Sequence, residues 1–415
     1  RNREYLAWLV GDFSNELGSS VDMFALPLVT FQVAGSVAAA GTVGFVGGIG
    51  GVLGLLPGGV LADRADRRRL RIASAGTGLV LMIVLGAVLL AGMASVAALA
   101  ILLFLDRLRA TLLGSASHTM LKQIVPASQL PAAFAVNEGR AAVIELGASP
   151  LSGLLLGVNR VLPFAGQALG HVANLMATAL LRGDYSPPAS AKGLASAWRD
   201  VVEAVRWSFA QAVRVQLMGV VLLANLATQG IVMLVTLSLG EQGVAPGVIG
   251  LVMSVAAVGL LLGALGAGTL SARFPTGPLM IILLVVMCAA CGLFALTPTV
   301  LGSAAAVFLM GLATAPISSG LQGFFMHITP KEMLGRVGAL SSLASLGLLP
   351  LAPAAAGWGL DLIGVQGTRL LFAGIMVVSL VIALIARQIR QIPVAAAWRE
   401  HAKSIQPAST PAKPQ

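Results

Sequence analysis

The sequence predicts an all-α integral membrane protein of twelve transmembrane helices, arranged as two pseudo-symmetric six-helix bundles. Three observations support this fold class: the hydrophobic composition, the recurrence of apolar runs of membrane-spanning length, and a repeat that relates the two halves. Of 415 residues, 57% are hydrophobic and only 10% are charged. A soluble domain carries about 25% charged residues, so this chain is too apolar to be one.

Apolar runs recur from one end of the chain to the other. Each has roughly the 20 residues that a helix needs to cross about 30 Å of hydrocarbon. The predicted spans cover residues 5–33, 41–62, 70–92, 95–121, 133–157, 161–181, 215–239, 246–271, 277–297, 299–326, 334–359 and 366–388. The first span is long and contains acidic residues, so we interpret it as a membrane helix and not as a cleavable signal peptide.

The second half of the chain repeats landmarks of the first half at an offset of 209 residues. The matched positions are Gly41, Gly50, Gly54, Gly59, Leu61 and Arg64 in the first half, and Gly250, Gly259, Gly263, Gly268, Leu270 and Arg273 in the second. Such a repeat predicts two similar bundles. Small residues at four-residue spacing also predict close helix contacts in both halves. These residues are Gly50, Gly54, Gly58, Gly259 and Gly263.

The net charge of +10 follows from the membrane topology and does not predict nucleic-acid binding. With both termini in the cytoplasm, nearly all basic residues fall in cytoplasmic loops and tails, and the opposite side holds only Arg160 and Arg369. The cytoplasmic set is Arg64, Arg67, Arg68, Arg69, Arg71, Lys122, Arg182, Lys192, Arg199, Arg206, Arg214, Arg273, Lys331, Arg336, Arg387 and Arg390. This bias predicts a multi-pass protein of the cell inner membrane.

Composition divides the chain into four parts. Residues 1–181 and 215–390 are predicted to form the two six-helix bundles. The polar segment 182–214 joins them and contains a predicted amphipathic helix, because its apolar residues follow helical spacing. Residues 391–415 are rich in Pro, Ala and Ser and are predicted to form a disordered cytoplasmic tail.

Acidic residues at membrane depth occur only in the first half of the sequence. An Asp at the centre of a membrane helix costs about 2.5–3.5 kcal/mol, so each of these residues needs a partner, water or a proton. They are Asp12, Glu16 and Asp22 in span one, Asp106 in span four, and Glu138 and Glu145 in span five. The deeper residues Asp22, Asp106 and Glu145 are the candidates for proton binding.

Span one carries a polar stripe, because Asp12, Asn15, Ser19 and Asp22 are spaced three, four and three residues apart and share one helical face. The stripe predicts a wet cavity beside this span, with Asn15 available to a bound molecule. Asp12 is expected to lie near the cytoplasmic interface and to be solvated. Two interpretations stay open for Asp22, namely a proton site and a helix–helix hydrogen bond.

Span four brings Asp106, Arg107 and Arg109 into the membrane together. Asp106 and Arg109 are three residues apart and can pair within the helix, which would form a static ion pair. The alternative is an exchange of partners. In that case Arg109 pairs in turn with Asp106, Asp22 or Glu145 as one acid gains or loses a proton.

Uncharged polar groups in the second half are candidates for binding a small molecule: Asn225 and Gln229 in span seven and Gln322 in span ten. They can equally form interhelical hydrogen bonds, and the sequence favours neither interpretation. The four His residues lack the spacing of metal ligands, and no nucleotide-binding or hydrolase motif is present. No metal, cofactor or enzymatic activity is therefore predicted.

The most distinctive motif is the charged loop between spans two and three, Gly59-Val-Leu-Ala-Asp63-Arg64-Ala-Asp66-Arg67-Arg68-Arg69. It resembles the signature loop of the major facilitator superfamily, and the twelve spans, the central loop and a second loop at Gly268 extend the resemblance over the whole chain. Other stretches are similar to the bacterial efflux branch that includes macrolide and enterobactin exporters. They are Ala25-Leu26-Pro27-Leu28, Pro126 to Asn137, and Leu334-Gly335-Arg336-Val337 followed by Gly347-Leu-Leu-Pro350.

The resemblance implies the major facilitator fold, in which helices one, four, seven and ten line a central cavity. It also implies a conformational latch, in which the carboxylate at Asp63 ties the two bundles together on the cytoplasmic side. The latch residues are Gly59, Asp63, Arg64, Arg67 and Arg68. Ala272 stands in the second loop where an acid would be, so only the first loop can form this latch.

The resemblance and the buried acids together predict a secondary active transporter that exports an amphipathic small molecule, such as a drug or a siderophore, by proton antiport through alternating access. Its expected partners are that molecule, protons and membrane lipid, with no nucleic acid, and the protein is expected to be a monomer. Two alternatives stay open: a lipid or lysophospholipid flippase of the same fold, and a non-transporting membrane sensor or scaffold.

Overall fold

The structure is a computed structural model that describes residues 3–114, 120–121, 123–126, 129–183, 185–186, 198–199, 202–203, 205–206, 209, 212–329 and 348–405. These residues form helices and contain no β-strand, which confirms the predicted all-α fold. The helices are α1 (Arg3–Ala34), α2 (Val37–Arg64), α3 (Arg67–Leu90), α4 (Val96–Gly114), α5 (Leu130–Val158), α6 (Leu162–Ala179), α7 (Ala212–Glu241), α8 (Pro246–Arg273), α9 (Thr276–Leu296), α10 (Val300–Ile328), α11 (Leu351–Ile385), α12 (Arg387–Arg390) and α13 (Trp398–Ile405), with a 3₁₀ turn at Ala395–Ala397.

Within the described residues, nine helices are long and apolar enough to cross a membrane. They are α1, α2, α3, α5 and α7 to α11. The helices α4 and α6 lie in the same bundle as α1 to α3 but are not among the nine; α4 carries Asp106, Arg107 and Arg109, and α6 carries Gln167, His171 and Asn174. The molecule is therefore a multi-pass membrane protein, as the composition predicts.

Helix α11 combines parts of two predicted spans. It consists of two helical segments joined at Gly364, whose φ of +71° lies in the left-handed region that glycine adopts without steric cost. The segments fold back on each other, since Gly359 before the bend lies against Thr368 after it. Residues 330–347, which hold most of predicted span eleven, lie outside the described residues.

The helices pack as two bundles, α1 to α6 and α7 to α11, with equivalent contacts in each. The predicted close contacts at glycines are confirmed: three glycines of α2 lie against backbone carbonyl groups of α4, and two of α8 lie against those of α10. These glycines are Gly50, Gly54, Gly58, Gly259 and Gly263. The helix pairs α2–α4 and α8–α10 thus occupy equivalent positions in the two halves of the sequence repeat.

The two bundles meet through α2 against α11 and through α5 against α8. Gly41 packs on Gly357 with backbone against backbone, and Gly153 packs in the same way on Pro246. These contacts lie at the start of α2 and of α8, opposite the turn that joins α2 to α3. We call this end of the molecule the closed end, and the end with the α2–α3 turn the loop end.

A bulky side chain in the α2–α11 contact is expected to open the closed end. A Cβ atom on Gly357 would stand 2.6 Å from the Cα atom of Gly41, so a Leu side chain has no space there. In Gly357→Leu, spin labels at Val158 and Gln242, which lie at the closed end in different bundles, should move apart. Double electron–electron resonance measures that distance after the two native cysteines are replaced.

The matched control for this variant is Gly374→Leu, on the same helix at a position with open space around it. It should leave the distance between the labels unchanged. If Gly357→Leu also leaves it unchanged while the protein stays folded, the contact between α2 and α11 does not hold the closed end shut.

The structure describes the segment between the bundles and the carboxyl-terminal tail to different extents. The predicted amphipathic helix of segment 182–214 lies largely outside the described residues. The predicted disordered tail is wrong for residues 391–405, which form a 3₁₀ turn and α13. The reason is Trp398: its ring is buried on Gly323 of α10, and its Nε1 donates to Thr276 Oγ1 at 3.0 Å. Residues 406–415 lie outside the described residues.

Candidate functional site

The charged side chains of the first bundle gather in two clusters along α1. The loop-end cluster contains Asp12, Glu16, Arg71 and Arg140, and the central cluster contains Asp22, Asp106, Arg107 and Arg109. Asp12 and Asp22 mark the two levels. They are ten residues apart on one helix, which is about 15 Å by helical rise.

In the loop-end cluster, Arg140 of α5 bridges two acids of α1. Its Nη1 donates to Asp12 Oδ2 at 2.6 Å and its Nη2 donates to Glu16 Oε2 at 2.5 Å. The side chains of Arg140 and Asp12 are 6% and 12% exposed, whereas that of Glu16 is 41% exposed. The expectation that Asp12 is merely solvated is therefore wrong, because a cation from another helix pairs with it inside the bundle.

Helix α3 contributes a second arginine to this cluster. Arg71 Nε donates to Asn174 Oδ1 at 2.8 Å, and its Nη2 donates to the Trp8 carbonyl oxygen at 3.0 Å. The Trp8 ring has the guanidinium groups of Arg71 and Arg140 each 5.9 Å from its centroid, a cation–π distance. Two arginines thus face two carboxylates, and their formal charges cancel.

In the central cluster, Asp106 and Arg109 form the ion pair that their spacing predicts. Asp106 Oδ1 accepts from Arg109 Nε at 3.1 Å and from Nη2 at 2.8 Å. Arg109 Nη1 donates to both the carbonyl oxygen and the Oγ of Ser74 at 2.9 Å. All three guanidinium nitrogens are therefore held between α3 and α4.

Asp22 has a looser environment than Asp106. Its carboxylate is buried, and its nearest cation is Arg107, with Oδ2 and Nη2 3.6 Å apart. That separation exceeds hydrogen-bond distance, and no described residue donates a hydrogen bond to this carboxylate. The Arg107 side chain is 28% exposed, so it links the buried acid to a more accessible surface. Two acids again face two arginines, and a gained or lost proton would leave one unbalanced charge.

Glu145 lies apart from Arg109, the arginine with which it is expected to pair during the exchange of partners. It is exposed on α5, close enough to Glu16 for the two carboxylates to repel each other. The described residues show no contact between Glu145 and Arg109. The structure therefore brings together Asp22, Asp106 and Arg109, but not Glu145, because α5 presents this residue at the level of the loop-end cluster.

The four amides that the sequence selects for binding are not engaged elsewhere in the described part of the chain. Asn15, Asn225 and Gln229 are half-buried, and Gln322 is exposed. None of their side chains makes a hydrogen bond to a described residue, so all four remain available to a ligand.

The charged loop holds its own bundle together at the loop end. Arg68 donates from Nε to the Thr178 carbonyl oxygen at 3.3 Å and from Nη2 to that of Ala179 at 3.2 Å, at the carboxyl end of α6 where basic groups are favourable. Arg67 is buried, and its backbone N–H donates to the Tyr185 carbonyl oxygen at 3.3 Å.

The remaining residues of the expected latch are exposed. Asp63 and Arg64 are exposed, and Gly59 has open space where a side chain would be. Among the described residues, Asp63 has no ion-pair partner in the second bundle. In the part of the chain that the structure describes, the close glycine contacts between the bundles lie at the closed end.

Tyr185 ties the segment after α6 to the start of the chain. Its hydroxyl donates to Glu4 Oε2 at 3.1 Å, and Glu4 Oε1 accepts from the backbone N–H of Arg182 at 3.1 Å. Burial, reinforced by the Glu4 carboxylate, raises the pKa of Tyr185 to about 12, so the phenol stays protonated as a donor.

Sequence reasoning missed several residues of both clusters. Arg140 and Arg71 are the main cations of the loop-end cluster, and Ser74 orients Arg109. Helix α6 supplies buried polar side chains at Gln167, His171 and Asn174. Their spacing of four and three residues places them on one helical face. This spacing is visible in the sequence and could have identified them.

Two helical bundles related by a repeat, with ionisable residues buried at membrane depth, define the class of secondary transporters. The chain belongs to the Major Facilitator Superfamily, whose sequence profile matches residues 9–241 and again residues 217–414. The two overlapping matches correspond to the two halves of the chain.

Solved structures of other transporters share this fold. A mutant form of the nucleoside transporter NupG is similar with a TM-score of 0.76 at 15% identity, over 92% of this chain and 99% of that one. A bacterial homologue of the iron transporter ferroportin in an inward-facing state gives 0.68 at 17% identity, over 92% and 98%. A bacterial homologue of the human lysosomal transporter Spinster, inward-facing and unoccupied, gives 0.67 at 16% identity, over 98% of each chain. No curated protein matches the sequence.

Proposed function

We propose that this protein is a secondary active transporter that exports an amphipathic small molecule by proton antiport through alternating access. Within the superfamily, the sequence stretches at Ala25, Pro126 and Leu334 favour the efflux branch of macrolide and enterobactin exporters. The single observation that carries the proposal is the central cluster, in which a buried Asp22 carboxylate lies 3.6 Å from its nearest cation.

The charge balance of the central cluster supplies the coupling. With Asp22 and Asp106 both ionised, the two acids neutralise Arg107 and Arg109. A proton on Asp22 leaves a net positive charge in a region of low dielectric, where an unpaired charge is costly. Movement of the partly exposed Arg107 towards water relieves that cost, and this movement is the step that links protonation to a change of conformation.

The orientation of the cavity suits export. The bias of Lys and Arg supports a cytoplasmic loop end, and the close glycine contacts of the described residues at the opposite end support a conformation that faces the cytoplasm. Glu145 is the most accessible of the deeper acids and would attract a cationic group. The half-buried amides Asn15, Asn225 and Gln229 would supply hydrogen bonds to the polar part of the molecule.

Reconstitution in liposomes tests the proposal. A screen for compounds that raise the melting temperature identifies a ligand, since bound ligand stabilises by mass action. A pH gradient should then drive that ligand to accumulate against its own gradient, and a protonophore should abolish the accumulation. Empty liposomes are the control. Accumulation that persists with the protonophore would refute proton antiport.

One observation favours a second candidate, the flippase of lipid or lysophospholipid. A groove of about 450 Å³ lies between α3 and α4; its walls are apolar, from Val80 and Leu81 to Leu105 and Leu112, and among the described residues Arg109 is its only charged lining residue. Such an apolar groove fits an acyl chain. Movement of a fluorescent lysophospholipid between leaflets, with no accumulation of soluble ligand, would favour this function over drug export.

A further inference from the structure

Helix α6 carries a polar stripe inside the first bundle, of which only Asn174 takes part in the charged clusters described above. Gln167, His171, Asn174 and Thr178 are spaced four, three and four residues apart, so they share one face. All four are between 0% and 5% exposed. The stripe therefore runs from the middle of α6 to its carboxyl end at the loop end, entirely within the protein.

The lower half of this stripe is satisfied by protein groups. Asn174 Oδ1 accepts from Arg71 Nε at 2.8 Å and from Thr178 Oγ1 at 3.4 Å. The upper half is not satisfied. Both side-chain atoms Nε2 and Oε1 of Gln167, and both ring nitrogens of His171, are buried without a hydrogen-bond partner among the residues that the structure describes.

The two unsatisfied side chains lie next to the central cluster. A Cβ atom on Gly78 of α3 would have His171 Nε2 at 2.5 Å and Arg109 Cζ at 3.0 Å, so the imidazole and the guanidinium group are neighbours over this glycine. Gln167 packs on Gly18 of α1, one turn before Asp22. Arg109, with its partner Asp106, is the charged neighbour that faces His171.

Four unpaired polar atoms on two consecutive turns of a membrane helix would be very unfavourable if they were dry. An unsatisfied buried polar group costs about 1–3 kcal/mol in proteins, and nearly all buried polar groups have a partner. Internal water is the ordinary partner of such groups, because a buried water molecule makes about three hydrogen bonds to otherwise unsatisfied atoms.

We propose that Gln167 and His171 bind internal water between α1, α3 and α6, and that this water connects the Asp106–Arg109 pair to the polar stripe that reaches the loop end. The site is distinct from the space between the two bundles. In the proposed transport cycle, on which this last role rests, the water is the donor or acceptor of the proton that the central cluster gains or loses while the cluster is buried. The proton moves between water and a carboxylate, with no other bond made or broken.

Hydroxyl-radical footprinting of the purified protein in lipid nanodiscs tests for the water directly, because radicals generated by X-rays label side chains next to bound water. His171 should be labelled well above Phe164, which is equally buried two turns earlier on α6. In Gln167→Leu, which removes part of the polar lining, labelling of His171 should fall several-fold. Protection of His171 to the level of Phe164, or labelling that Gln167→Leu leaves unchanged, would overturn the proposal.

The melting temperature of Gln167→Leu gives an independent reading. If the site is dry, the substitution removes two unsatisfied polar atoms and should raise the melting temperature. If water occupies the site, the Leu side chain displaces it from His171, and the melting temperature should fall by several degrees. The control is Gln242→Leu at the exposed turn after α7, which should change little. Neither readout depends on transport, so loss of the proposed function would leave this test intact.

Discussion

Asp22→Asn is expected to abolish accumulation driven by a pH gradient while leaving exchange of ligand across the membrane intact. Asn has the shape of Asp but cannot bind or release a proton, so the central cluster is fixed with the charge of its protonated state. Net transport against a gradient needs the proton cycle, whereas exchange needs only movement of the loaded protein. Accumulation in liposomes should fall to the level of empty liposomes, and counterflow should remain measurable.

The same change at Asp361 is the matched control, because this exposed acid of α11 has no ion pair among the described residues. Asp361→Asn should transport like the unmodified protein. If Asp22→Asn still couples transport to the pH gradient, while Asp106→Asn does not, the proton is carried by the partner of Arg109 and the role given to Asp22 is wrong.

Arg140→Gln is expected to destabilise the protein strongly. It leaves Asp12 as a buried carboxylate without its cation, and breaking a buried ion pair in this way costs about 3–5 kcal/mol. The cost should lie at the lower end of that range, since the Glu16 side chain is 41% exposed and can be solvated. The melting temperature of the purified protein, or its yield in folded form, measures the effect.

A double substitution separates loss of the pair from loss of packing. Adding Asp12→Asn to Arg140→Gln removes the stranded charge, so it should recover a large part of the lost stability. Arg387→Gln, at an exposed position after α11, should have almost no effect. No recovery in the double variant would mean that Arg140 acts through its contact with the Trp8 ring and not through the carboxylates.

The agreement between sequence and structure is best where one helix decides the outcome. Hydrophobic length predicts the spans, and the 3.6-residue period predicts that Asp106 and Arg109 can pair within α4. The glycine contacts of α2 and α8 are predictable for the same reason, because spacing along one helix shows which face allows close approach. The internal repeat then extends the prediction of glycine contacts from the first half to the second.

The disagreements arise where two helices must meet. Helical spacing places Asp12 on a polar face of α1, but it cannot show that Arg140 of α5 reaches that face and replaces water. It gives no reason to separate Glu145 from Arg109, since their separation depends on how α5 is placed against α4. The prediction of a disordered tail failed for the same reason, because the site for Trp398 on α10 depends on the packing of the second bundle.

By itself, the sequence determined that the chain crosses a membrane many times as helices in two related halves, and that the first half carries the buried acids. Only the tertiary structure decided which cation meets each acid, which end of the molecule is closed, and that α6 brings unsatisfied polar groups to Arg109. The physical reason is that burial and helix formation depend on local composition and hydrophobic periodicity, which can be read directly from the sequence. The pairing of charges depends on the angle and depth at which separate helices pack, which no single helix specifies.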